Sequence, residues 1–344
     1  MSGDTLSDLL RAVRLCGAVF FYVEGIDPWV AETPCSSEIV SAILPGSDRM
    51  MEFHGVASGS CWITPEGQAP VKLEEGDLVM LPQGDAHIMS SAPGLRAKDP
   101  DPGIFFTPRP SRLPHALSLV NNNETTVRVD GGGCESATLV CGFLGFDARP
   151  FNPLLSSLPS LIHIKGAAGT GGWISTFLRS AVDETNKKRP GGAAVLERMS
   201  EMMFIDAVRR YIEALPETSR GWLAGLRDRF VGRVLALMHD APAVAWTVDE
   251  LGRRVGLSRS ALHERFAELI GQSPIQYLAN WRIQVGAALL RNTSSTVAMV
   301  AQEVGYESEA TFTKAFKRLT GNSPALWRRR IGSGAPVGNS RKIK

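Results

Sequence analysis

The stretch LGRRVGLSRSALHERFAELIGQSP (residues 251–274) occurs twice in this chain, the second time as VAQEVGYESEATFTKAFKRLTGNSP (300–324). Beyond the turn the copies match at a fixed offset of 50, which pairs Ser258 with Ser308, Phe266 with Phe316, Gly271 with Gly321 and Ser273-Pro274 with Ser323-Pro324. Before the turn the offset is 49, because GYES is one residue longer than GLS. Each copy carries the physical parts of a helix-turn-helix. The pattern predicts a short helix (about 248–255, and 297–304) ending at Gly256 or Gly305, where a left-handed backbone costs little. A serine, Ser258 or Ser308, then stands where an N-cap belongs. The second helix has Leu262, Phe266 and Leu269 on its inner face in one copy and Phe312, Phe316 and Leu319 in the other. One such pattern also fits an ordinary helical hairpin. Two copies in a basic segment argue for DNA.

The charge supports this division of labour. From Arg220 onward there are 19 Lys/Arg against 9 Asp/Glu, a net of +10, while residues 1–219 hold the remaining 18 and 26, a net of −8. A basic half meets a polyanion; a solvated basic face without a partner is the alternative. The apolar and charged fractions, 44% and 21%, are those of a soluble globular chain of more than one domain. LCGAVFFYV (15–23) is the longest apolar run near the start, too short for a bilayer span, and it reads as a buried strand. With no targeting segment or membrane span, the expected location is the cytoplasm. Cys16, Cys35, Cys61, Cys134 and Cys141 are odd in number and irregular in spacing, which argues against a secreted disulfide framework.

Residues 242–330 resemble the DNA-binding domain of AraC/XylS-type transcription regulators. WRIQVGAALLRNTSSTVAMVAQEVGYESEATFTKAFKRLTGNSPALWR (281–328) carries the resemblance, with a linker helix around WRIQVGAALL, a V-G-Y-x-S turn, an F-x-x-x-F spacing and a closing G-x-S-P. It implies two recognition helices held by the linker so that they enter successive major grooves, about one helical turn apart. The DNA-binding set it implies is Ser258, Arg259, Ser260, His263 and Glu264 in the first copy, and Ser308, Glu309, Ala310, Thr313 and Lys314 in the second. Arg259, Arg265, Arg282, Lys317 and Arg318 are the expected phosphate contacts. Many members carry Arg or Gln where Glu264 and Glu309 stand here. A glutamate either accepts from cytosine N4 or pairs with a neighbouring basic residue. The implied partners are double-stranded DNA, RNA polymerase, a small-molecule effector and a second copy of the chain as a homodimer.

The N-terminal half has a different texture. Short apolar runs from about 15 to 165, among them CWITP, LVMLP, TVRVDGGG and ATLVCGFLGF, predict an all-β sandwich or barrel. Within it GDLVMLPQGDAH (76–87) reads G-x5-P-x-G-x2-H and resembles the second motif of cupin β-barrels, whose His binds a metal. The first cupin motif supplies H-x-H and then a Glu with six residues between it and a Gly. Glu52 and Gly59 fit the latter, but Gly46 and Asp48 stand where the two His belong. His54 is the nearest other imidazole. The loss of H-x-H argues against an enzyme; a metal-dependent cupin enzyme fused to a DNA-binding domain is the alternative. The expected pocket set is His54, Asp85, His87 and Cys141, which with a thiolate would suit zinc or another divalent metal, although a lone cysteine also fits a small buried hydrophobe. The N-terminal region resembles the cupin-type sensor domains that precede AraC-type DNA-binding domains.

The expected fold is therefore multidomain α and β. A cupin-like antiparallel β-barrel sensor (1–190) leads into a helical linker (191–240), an all-α tandem helix-turn-helix (241–331) and a disordered tail (332–344). Residues 1–13 carry helix signals, and WISTFLRSAVDET, VLERMSEMMFIDAVRRYIEAL and LRDRFVGRVLALMHD show helical spacing. Met199, Met202, Met203, Ile205 and Val208 form an apolar stripe for packing or for dimerisation.

Overall fold

The computed structural model describes residues 6–7, 15–45, 47, 49–97, 115–120, 124–126, 135–146, 151–166, 173–187, 189–216 and 218–332. Most of the expected N-terminal helix, the tail beyond residue 332, Gly46, Asp48, Cys134 and most of TVRVDGGG lie outside them. The chain divides into two compact units. One comprises the described residues within Leu15–Asp147 and Leu158–Glu213, the other those within Met1–Arg14, Ala148–Ser157 and Ala214–Lys344. No helix among the described residues is long and apolar enough to cross a membrane.

Strands dominate the first unit: β1 Leu15–Ile26, β2 Val30–Thr33, β3 Arg49–Pro65, β4 Val71–Glu74, β5 Leu78–Leu81, β6 His87–Ser90, β7 His115–Val120, β8 Glu124–Thr126, β9 Glu135–Phe146 and β10 Ile162–Ile164. They run in the order β10-β5-β3-β9-β1-β7-β8, with β2, β6 and β4 joined through β3. All pairs are antiparallel except β1 with β7. The long β3 serves two sheets. Its first part pairs with β9 and β5, its last part with β4 and β6, and the register slips between Val56 and Ser58. Such a bulge bends a strand, here just before Gly59 at φ 75. The enclosed core includes Trp29, Ile39, Val56, Ile63, Leu81 and Leu139.

Among the described residues three helices belong to this unit: α1 Ser36–Ile43, α3 Trp173–Lys187 and α4 Gly192–Ala214, the last ending at its boundary. On α3, Phe177 meets Phe53 of β3 edge to face with centroids 5.9 Å apart. The stripe on α4 divides, since Met203 and Val208 are buried while Met202 is 52% exposed.

In the second unit, α2 (Pro153–Ser157) joins α5 Trp222–Arg227, α6 Val231–Asp240, α7 Val248–Val255, α8 Arg259–Ile270, α9 Pro274–Asn292, α10 Val297–Glu303, α11 Glu309–Thr320 and α12 Pro324–Gly332. The segment LRDRFVGRVLALMHD is not one helix. It breaks at Asp228, whose Oδ1 accepts from the backbone N–H of Phe230 and Val231 at 3.0 and 2.9 Å, stopping α5 and starting α6. The stretch 191–240 thus parts near residue 214, with α4 in the barrel unit and α5 and α6 in the helical one. Trp222, Val231, Val234, Leu235 and Met238 are all buried there.

Candidate nucleic-acid interface and metal centre

The two serine caps that the repeat predicts are made: the hydroxyls of Ser258 and Ser308 accept from the N–H groups of Ala261 and Thr311, starting α8 and α11. Two threonines that the sequence reading did not name, Thr247 and Thr296, cap α7 and α10 in the same way, accepting from Glu250 and Met299. Gly256 closes α7 in the left-handed region at φ 79, a conformation that a side chain would strain. Each second helix then turns an aromatic face inward: Phe266 lies against Tyr277 in the first half, and Phe312 and Phe316 lie with Val300, Val304 and Trp327 in the second. α9 serves both halves, with Tyr277, Leu278 and Trp281 buried near its start and Ile283, Ala287 and Leu290 toward its end. A buried polar knot closes the first half. The Trp222 indole donates to the Tyr277 hydroxyl at 3.0 Å, His239 Nε2 lies 2.8 Å from the same oxygen, and the imidazole stacks on Trp281 at 3.8 Å.

The inner faces being engaged, the opposite sides of α8 and α11 are polar and open. Arg259, Ser260, His263, Glu264, Glu309, Ala310 and Lys314 are exposed, and Thr313 is half-buried. Ser258 and Ser308 sit at the same ends, with their hydroxyls committed as caps. Two expected phosphate contacts are otherwise engaged. Arg265 donates from Nε to Asp228 at 3.0 Å and lies over Phe230, while the half-buried Arg282 donates to the carbonyls of Pro242 and Val244 at 2.7 and 2.9 Å. Both guanidinium groups hold the domain together. Arg259 pairs loosely with Asp249 at 3.5 Å, and Lys314, Lys317 and Arg318 have no ion-pair partner among the described residues. Asp249, Glu250 and Glu268 are paired with arginines, but Glu264 and Glu309 are not.

Inside the barrel, Glu52 and His54 are two apart on β3 and so share a face. Opposite them His87 opens β6. The turn before it depends on Gly84, at φ 67, where a Cβ would lie 1.7 Å from Ser36 Oγ and 2.7 Å from the Met50 carbonyl. His54 Nε2 and His87 Nε2 are 2.7 Å apart, and Glu52 Oε2 is 3.7 Å from His87 Nε2. His87 Nδ1 donates to the Asp85 carbonyl at 3.1 Å. One ligand atom from each of Glu52, His54 and His87 lies within 4.8 Å of the others, all three residues buried. Both Glu52 oxygens and His54 Nδ1 have no hydrogen-bond partner among the described residues. An orphaned carboxylate beside two imidazoles is a nitrogen and oxygen set that fits a divalent first-row metal.

Burial governs the electrostatics of this cluster. It pushes the Glu52 carboxyl well above the usual carboxylate range, with Cys35 adding, and holds His54 well below the imidazole range, with His87 adding. His87 is held down at about 4 by burial, against the lift from Asp85. The expected set is rearranged: Asp85 offers His87 its backbone carbonyl, and Cys141, opposite His54 in β9, is a buried thiol whose proton burial retains. Neither the Asp85 carboxylate nor the Cys141 thiol belongs to the cluster among the described residues, whereas Glu52 does. The spacing of Glu52 before Gly59 was the signal for it.

Fold and surface together define a DNA-binding tandem helix-turn-helix carried with a β-barrel of the cupin kind. A family model described as Cupin matches residues 4–213, and one described as Helix-turn-helix domain matches 251–330. An AraC-like transcription regulator of Streptomyces antibioticus is 30% identical over 84% of this chain and 90% of its own length. One from Streptomyces lividans is 31% identical over 82% and 87%. The HTH-type transcriptional regulator AlkR of Acinetobacter baylyi is 25% identical over 94% and 99%. The chain belongs to the AraC-like transcription regulators with an N-terminal cupin domain.

Proposed function

We propose that this regulator reads double-stranded DNA with the first turns of α8 and α11, each set in a major groove. The observation that carries this reading is the outward polar face of two capped helices whose apolar faces are locked into their own cores. Ser260, His263 and Glu264, with Glu309, Ala310, Thr313 and Lys314, face base edges. Arg259, Lys317 and Arg318 neutralise phosphates and set register. Glu264 and Glu309, free of ion pairs, accept from the N4 amino group of cytosine. The chain works in the cytoplasm by binding rather than by catalysis, and its relatives' descriptions as transcription regulators support this. The barrel takes a small-molecule effector, RNA polymerase is the partner at the promoter, and the exposed Val195 and Met202 on α4 support pairing of two copies.

A mobility-shift titration of the full chain on promoter DNA tests the reading. Phosphate neutralisation predicts that affinity falls by about 10³ or more between 50 and 200 mM salt if roughly six phosphates are contacted. Binding that ignores salt, or no binding at all, overturns it.

A further inference from the structure

We infer that Glu52, His54 and His87 bind one first-row divalent cation inside the barrel, with His54 standing in for the absent H-x-H pair. His54 lies two residues past Glu52 on the same strand. Three features of the cluster carry the inference. The His87 tautomer is set by its neighbour: a carbonyl only accepts, so Nδ1 bears the proton and Nε2 presents a lone pair to the cluster. This is how an outer partner orients a metal-bound imidazole. The second feature is the 2.7 Å approach of the two Nε2 atoms. Without a cation one proton must lie between them, and it must come from His54, which leaves His54 Nδ1 a bare acceptor with no donor among the described residues. The third is Glu52, whose two oxygens are buried without a donor among the described residues. A carboxylate in that setting is unfavourable unless a positive charge shares the space.

A divalent ion takes both Nε2 lone pairs in place of that shared proton and balances the carboxylate. Three protein ligands also leave coordination positions open, as in metal sites that exchange an outside ligand. The inference goes beyond DNA reading and stands apart from it.

The test uses the untagged full chain, stripped with a chelator and dialysed against Zn²⁺ or Co²⁺. The expected result is about one equivalent per chain, with visible Co²⁺ absorption from a nitrogen and oxygen ligand field. His54→Ala and His87→Ala should weaken binding by roughly 100-fold or more, while Asp85→Ala and Cys141→Ser should retain it. Wild-type protein that takes up no metal overturns the inference, as does His54→Ala binding like wild type. Should the histidine variants fail to fold by circular dichroism, Glu52→Gln decides, since it keeps the shape and removes the charge. Wild-type affinity in that variant overturns the inference, and a loss on the same scale supports it. Mobility shifts on the same preparations read DNA binding separately.

Discussion

Glu264 projects from α8 with no ion pair among the described residues, on the side of the domain meant for a polyanion. An unpaired acid there opposes phosphate binding unless a base donor compensates. Glu264→Ala should therefore erase a cytosine preference at one position, worth about 1–3 kcal/mol of discrimination, and strengthen binding to unrelated DNA. Selection of bound sequences from a random pool checks this, and an unchanged preference places the glutamate off the base. The residue scale also shows where sequence reading stops. Arg259 and Arg265 are six apart on one helix and look alike in the sequence, yet Arg265 is held by Asp228, 37 residues away. Arg282 is held by carbonyls 38 and 40 residues away. No local pattern names such partners. Cap serines and inner phenylalanines were legible because their partners lie within one helical turn or recur at the repeat offset.

Among the elements, α6 carries the clearest pH consequence. Burial holds His239 at about 3, while an unfolded chain returns it to the ordinary value near 6.5. Between those values the unfolded state takes up a proton that the folded state refuses, so stability is full above about pH 6.5 and falls as pH drops. The loss is about 1.4 kcal/mol per pH unit, or about 2 kcal/mol by pH 5. Thermal melts followed through Trp281, which stacks on the ring, and Trp222, which donates to the same Tyr277 hydroxyl, should show this slope, and His239→Gln should reduce it. A melt independent of pH from 7 to 5 contradicts it. The barrel elements were legible as strands from alternation and turn residues, but the course of β3 was not. Its bulge and its two sets of partners follow from long-range pairing that no window of sequence contains.

At the scale of the whole chain, the family boundary near residue 251 cuts into the physical domain. Trp222, Val231, Val234, Leu235, Met238 and His239 are buried in the helical unit. At about 1.5–3 kcal/mol for each large apolar side chain, losing them removes more than the net stability of a small domain. A 241–332 fragment should therefore be unfolded in its first half, and 214–332 should keep far more structure. Amide hydrogen exchange across α7 and α8 distinguishes the two, and equal protection in both fragments refutes the claim. One further consequence belongs to α9. This single 19-residue helix supplies core side chains to both halves, so it works as a gauge rod between two reading heads. Adding one residue to it would turn the second head by about 100° and advance it by about 1.5 Å. The letters each head recognises are therefore free to change by substitution, while the distance between the words is written in the length of one helix and resists drift.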